Sequence, residues 1–237
     1  MSVAQKLPSS NADGGTAVTP SRTGKYLEAY VAGLSGKEWF LAAEGSYNMA
    51  LTPTPGTGVI GTINIAAITD VSPTAVFYNG NSAGGANIYP QFLNLHETVV
   101  STSGARVQFT FYLDTINRWT SAGTALTVGG TNSGIVASSG LAAHVGAVVS
   151  PAANAKVLIA HVVFRGTIDV VEDQFEFVFG GPGSGMFAGP QATTVQHFAA
   201  NLPPICIQPG HSLVMHQWAA SQANAPTYEY QFAYIER

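Results

Sequence analysis

Six histidines, His96, His144, His161, His197, His211 and His216, are the side chains of this chain best suited to hold a metal or move a proton. None belongs to a His-x-His pair or to a helical His-Glu pattern, so the sequence carries no metal motif. His211 and His216 fall on opposite faces of a continuous strand, which keeps them from sharing an ion unless a bulge intervenes. The acids Asp169, Glu172 and Asp173 cluster in one turn. Glycoside chemistry needs two carboxylates facing each other across a cleft, whereas adjacent acids in a turn read as solvated.

Nucleophiles are equally sparse. Gly181-Pro182-Gly183-Ser184-Gly185 offers Ser184, but Pro182 stands where a nucleophile elbow has Gly, and no helical pattern follows. Neither this loop nor the Gly84-Gly85 tip is followed by the Lys-Ser/Thr pair of a phosphate cradle. The single cysteine, Cys206, excludes an internal disulfide, and its setting between Ile205 and Ile207 predicts a buried small apolar residue. The segment from His211 to His216 departs from the close His pair followed by Glu through which cupins bind metal. Trp119, Trp218, Tyr78 and Tyr89 have the flat faces that stack on sugars; the competing reading makes them core or subunit contacts. The sequence thus nominates no catalytic, cofactor-binding or metal-binding residue and implies no cofactor.

The elements that would carry these side chains read as strands. In Thr227 to Glu236, Tyr228, Tyr230, Phe232 and Tyr234 alternate with Glu229 and Gln231, the period of a sheet with one covered face. His211 to Trp218 reads as a strand neighbouring it. Arg106 to Leu113 alternates Val107, Phe109, Phe111 and Leu113 with polar residues and predicts a half-buried strand, and Gln174 to Phe179 puts Phe175, Phe177 and Phe179 on one face. Val59 to Thr69, without a charge, predicts a strand covered on both faces. Thr74 to Tyr78, Ile88 to Val100, Ala142 to Val149 and Lys156 to Ile168 read as further strands, and Gly180 to Gly189 as a long loop. Trp39 to Leu41 and Tyr47 to Leu51 suggest a small hairpin ahead of the main sheet, which is expected to begin after Pro55-Gly56. Tyr26 to Leu34 has a spacing that permits up to two helical turns. About ten strands joined by turns, with no long helix, predict an all-β fold, an antiparallel β-sandwich that is jelly-roll-like.

Residues 1–24 are rich in Ser, Pro, Gly and Asn and read as a flexible arm, leaving 25–237 as a single β-sandwich domain. Charged residues make up 9% of the 237 residues, against roughly 25% in ordinary soluble domains. Much of the surface must then be uncharged, which predicts association with copies of itself, most simply as a trimer. A net charge of −4 with scattered Lys and Arg argues against a nucleic-acid surface. No run reaches the ~18 apolar residues of a membrane span, and the start lacks a secretory pattern, so neither membrane nor export is expected.

Leu113-Asp114-Thr115-Ile116-Asn117-Arg118-Trp119-Thr120-Ser121-Ala122-Gly123-Thr124-Ala125-Leu126-Thr127, together with Pro209-Gly210-His211-Ser212-Leu213 and Ala225-Pro226-Thr227-Tyr228-Glu229-Tyr230, resembles virion-associated proteins of tailed bacteriophages. The resemblance covers Glu97 to Arg237. It implies a non-enzymatic virion structural protein, a capsid decoration or cement protein or a minor capsid protein, made in the host cytoplasm and bound to a major capsid protein. It carries over no catalytic residue. A carbohydrate-binding or host-recognition module of a phage fibre is the alternative, and a sandwich-fold hydrolase a third.

Overall fold

The computed structural model describes residues 22–23, 29–30, 46–62, 68–100, 107–132, 139–164, 171–181, 186–188, 197–219 and 224–237. The chain divides into two compact units, Met1–Trp39 and Phe40–Arg237. In the first, β1 (Arg22–Thr23) pairs antiparallel with β2 (Ala29–Tyr30). Ala29 and Tyr30 are therefore strand residues within the stretch whose spacing permits a helix; the remainder of that stretch and residues 1–21 of the expected arm lie outside the described residues.

The second unit is an all-β sandwich of two sheets in which antiparallel pairing dominates. Its strands in chain order are β3 (Tyr47–Leu51), β4 (Val59–Ile60), β5 (Ala75–Asn79), β6 (Ile88–Val99), β7 (Val107–Asp114), β8 (Ser121–Ala125), β9 (Thr127–Gly130) and β10 (Leu141–Val149). They continue with β11 (Val157–Val163), β12 (Gln174–Phe179), β13 (Met186–Ala188), β14 (His197–Leu202), β15 (Ser212–Ala219) and β16 (Thr227–Glu236). One sheet has the order β11-β7-β15-β5-β10-β8, the other β13-β14-β12-β6-β16-β3-β9, with β4 beside β16. Among the described strands the exception to antiparallel pairing is β12 with β14, which run parallel.

Period-two sequences build the inner faces. Phe109 and Phe111 of β7 pack on Phe175, Phe177 and Phe179 of β12, with Phe109 and Phe177 centroids 5.1 Å apart. Phe77 of β5 stacks on Phe232 of β16 at 4.2 Å. Phe109 and Phe232 are fully buried, as mid-strand residues in alternating rows should be, and each contributes roughly 1.5–3 kcal/mol by transfer from water.

Several local expectations are corrected. β15 and β16 are not neighbours: β15 lies between β7 and β5, and β16 between β6 and β3 in the opposite sheet. The chain changes sheets between them, and strand propensity reports nothing about such a change. β3 is no separate hairpin but a member of the main sheet, paired with β16 and β9; Trp39 to Leu41 lie outside the described residues. The strand at Val59 is two residues long and leaves Ile60 61% exposed. Beyond it the Gly61 N–H turns to Pro226 O, and residues 63–67 lie outside the described residues. β7 is covered on both sides over Gln108 and Thr110, because His161 of β11 lies against them. A short strand, β13, interrupts the Gly180 to Gly189 loop. Cys206 is half-buried rather than buried: its neighbour Ile207 makes the bridge to Ile88 and takes the core position.

One glycine is needed for the way the sheets meet. Gly146, at φ +96° beside the bulge in β10, would bring a Cβ within 2.7 Å of Ile60 O, so only glycine lets β4 lie against β10.

Candidate functional site

The alternation of β6 sends Leu93 and Leu95 into the core and turns Asn94 and His96 outward. β16 does the same, burying Tyr228 and Tyr230 and presenting Glu229, which stands opposite His96 in the register. On the other side of β6, Gln174 of β12 is the partner of His96, and the turn leading into β12 supplies Glu172. His96 Nδ1 lies 3.0 Å from Glu229 Oε2 and its Nε2 2.8 Å from Glu172 Oε2. The other oxygen of Glu229 accepts the Gly56 N–H. Burial works against protonation of His96, yet the hydrogen bonds and charges of Glu229 and Glu172 outweigh it and hold the ring above its ordinary value. In turn His96, against a smaller effect of burial, holds the Glu229 carboxyl below the usual carboxylate range.

A second polar constellation closes one end of the six-stranded sheet. Arg118 is fully buried and every part of its guanidinium is used: Nη1 donates to Asp114 Oδ2 at 2.8 Å, Nε to Ser150 Oγ at 2.8 Å and Nη2 to Asp70 O at 2.8 Å. Its backbone N–H donates to Ser212 Oγ. Asp114 also accepts the N–H groups of Thr115, Asn154 and Ala155. Asp70 lies 3.3 Å from Arg118 Nη2 and accepts from Lys156 Nζ at 2.9 Å. Burial raises the Asp70 carboxyl, but Lys156, the Ala153 N–H and Arg118 together outweigh it and bring it to about 2. The arrangement is a buried charge in which each guanidinium nitrogen is hydrogen-bonded, and it ties the 70–74, 115–120 and 150–156 connections to β7 and β15.

The other sequence candidates are dispersed. His161 bridges Thr110 and Gln108, His197 pairs with Glu176 at 3.1 Å, and His144 lies flat on Trp119 at 3.9 Å between centroids. Burial lowers His144. His211 caps the Pro209-Gly210 turn, its carbonyl accepting Asn79 N–H. His216 is fully buried on the outer face of β15, edge-on to Tyr112, and neither ring nitrogen has a hydrogen-bond partner. Burial, supported by Arg118 and Lys156 and opposed by Asp70, pushes it down to about 4.

Glu172 and Asp173 do not face each other as a catalytic pair, since Glu172 turns out to His96 and Asp173 is buried. Asp169 and Ser184 lie outside the described residues. Among the described residues no group of three His, Cys, Asp or Glu side chains is placed to hold a metal; Glu172 and Glu229 take opposite edges of the His96 ring rather than converging on one point. Trp119 and Tyr78 do come together, with Tyr112, on an apolar floor of Val76, Val148 and Val214 outside the main core. Trp218 sits toward the other end of β15, and Tyr89 belongs to the other sheet.

Two shallow grooves flank the turn at residues 53–57. One, of about 420 Å³, is lined by threonines together with Val59 and Ile60 and holds no ionisable side chain. The other, of about 200 Å³, contains Glu229, already engaged by His96 and Gly56. The described geometry thus offers structural ion pairs and a groove without an ionisable side chain. Arg118 stands in no strand pattern, so the periodicity of the sequence does not single it out. The signal was there: Asp114 and Arg118 stand four apart in a chain with 9 basic and 13 acidic residues. No family model matches the chain, and no curated protein or solved structure matches it either.

Proposed function

We propose that this chain is a non-enzymatic structural protein of a virion, a capsid decoration or cement subunit, acting as a homo-oligomer on a shell of major capsid protein. The observation that carries the reading is apolar exposure at two separate edges, β4 and β11. Ile60, Val157 and Leu158 are 61%, 60% and 56% exposed, at the edges of a sandwich with few charges to hold copies apart. Supporting it are the two wide β-sheets, which make a rigid tile, and the resemblance of residues 113–127, 209–213 and 225–230 to tailed-phage virion proteins. On this reading the protein is made in the host cytoplasm, resides in the virion, and engages neither nucleic acid nor membrane.

The test is binding to purified shells of the parent phage, recognised by a terminase, portal or major capsid gene beside this one. The full chain is expected to be a trimer by light scattering and to saturate the shells. Deleting residues 2–24 is expected to leave the sandwich folded and lower occupancy sharply. Absence of binding by the full chain refutes the reading, and a chain that stays monomeric at high concentration removes the argument from surface composition. The convergence of Trp119, Tyr78 and Tyr112 favours a second reading, carbohydrate or host recognition. Glycan binding lost in Trp119→Ala but retained in Tyr89→Ala would establish it in place of the first.

A further inference from the structure

We propose that His96 is a proton-operated clasp, which in its doubly protonated form ties the turn at residues 171–173 to the outer face of the eight-stranded sheet and, on losing a proton, lets Glu172 go. The geometry makes the argument. Both ring nitrogens face a carboxylate oxygen, at 3.0 Å and 2.8 Å. A neutral imidazole has one N–H, and its other nitrogen presents a lone pair that a carboxylate repels. Only the imidazolium satisfies both partners.

The partner that leaves is identified by how each is held. Glu229 lies within β16, and its second oxygen accepts the Gly56 N–H, so a single remaining N–H stays with it. Glu172 is 60% exposed and sits on a turn. Its backbone is at φ +77°, a conformation that side chains other than glycine adopt at a cost. Among the bonds that hold that turn are the Glu172 N–H to Glu97 O, the Glu97 N–H to Asp173 O, and the ion pair to His96. Removing the ion pair takes away the bond between the side chain of this strained residue and the sheet.

Among the described residues of the neighbouring elements no competing acid takes the place of Glu172. From β12 the ring meets Gln174, and the next acid, Glu176, pairs with His197. From β6 the outward neighbours are Asn94 and Thr98, while Glu97 and Asp173 are buried. The ring is raised despite its burial. Because the folded value lies above the unfolded one of about 6.5, the clasp is fully present below pH 6.5 or so and is lost as pH rises through the raised value.

The test uses the full chain. NMR of the imidazole gives the His96 midpoint, and hydrogen exchange gives the protection of the Glu172 amide from about pH 5.5 to about pH 9, corrected for intrinsic exchange. Linkage fixes the relation between the two: across the titration, protection falls in all by about tenfold for each pH unit by which the His96 midpoint of the parent exceeds that of Glu172→Gln, where Glu229 alone remains. Glu172→Gln is expected to lower the midpoint and flatten the pH dependence, and His96→Gln to flatten it as well. A His96 midpoint at or below the unfolded value, or Glu172 protection that does not change with pH in the parent protein, overturns the proposal. Both of those readouts come from the unmutated chain, so they decide even if a variant fails to fold.

Discussion

Acidification is expected to weaken the sandwich through one side chain, His216. It is fully buried with no hydrogen-bond partner on either ring nitrogen, and the folded protein takes its proton only near pH 4. The unfolded chain takes that proton near pH 6.5. The unfolded state therefore binds more protons between these values, and stability falls as pH is lowered through them. Each pKa unit is worth about 1.4 kcal/mol, so the whole window costs about 3 kcal/mol, a large fraction of a stability of about 5–15 kcal/mol. Above pH 6.5 or so the loss is absent, and below pH 4 or so it levels off. The variant His216→Phe keeps an aromatic ring against Tyr112 and removes the titration. Urea unfolding of both proteins across this range isolates the effect, because the acids and the other histidines titrate in each. The difference in stability between variant and parent should move by about 3 kcal/mol in favour of the variant on going from neutral pH to pH 4. Parallel pH profiles would show that His216 is solvated or partnered, and the reasoning would fail.

Three further outcomes are expected. Arg118→Ala leaves Asp114 buried without its cation and should cost about 3–5 kcal/mol, read from the urea midpoint, with Asp114→Asn in the same chain recovering part of the loss. Phe109→Ala and Phe232→Ala each open a cavity between the sheets and should cost about 3–5 kcal/mol, lowering the melting temperature by roughly 6–20 °C; melting curves coincident with the parent would place these rings outside the core. EDTA should leave the melting temperature unchanged, and a marked drop would point to an ion at His211 or His216.

What was legible in the sequence was local. Strands β7, β12 and β16 declare themselves because each has a run of apolar side chains at a period of two, and burial follows that period directly: Phe175, Phe177 and Tyr228 are all fully covered. Partner choice is long-range and left no such mark, so β15 and β16 read as neighbours although they lie in opposite sheets. The same limit applies to the site. His96 and Glu229 are 133 residues apart, and they meet only because β6 and β16 pair in one register; a shift of either strand by one residue would turn its own side chain inward and separate the pair. Gln108 and Thr110 read as solvent-facing because nothing in β7 itself reports that His161 of β11 covers them.

The position of β16 has a consequence for how the protein is made. It lies between β6 and β3, and it is synthesised after every other strand of the two sheets. Until it emerges, β6 and β3 flank a vacant slot: two open backbone edges with the apolar Leu93, Leu95 and Ala50 beside them, side chains that are fully buried once the sheet is closed. Closing the slot joins residues such as Thr52 and Tyr230, 178 positions apart along the chain, which makes the step slow and places it after the other strands of the two sheets. A slot of that shape accepts any copy of the same strand, so crowded ribosomes translating one message favour exchange of β16 between nascent chains. Strand-swapped oligomers are then the characteristic misassembled product at high expression.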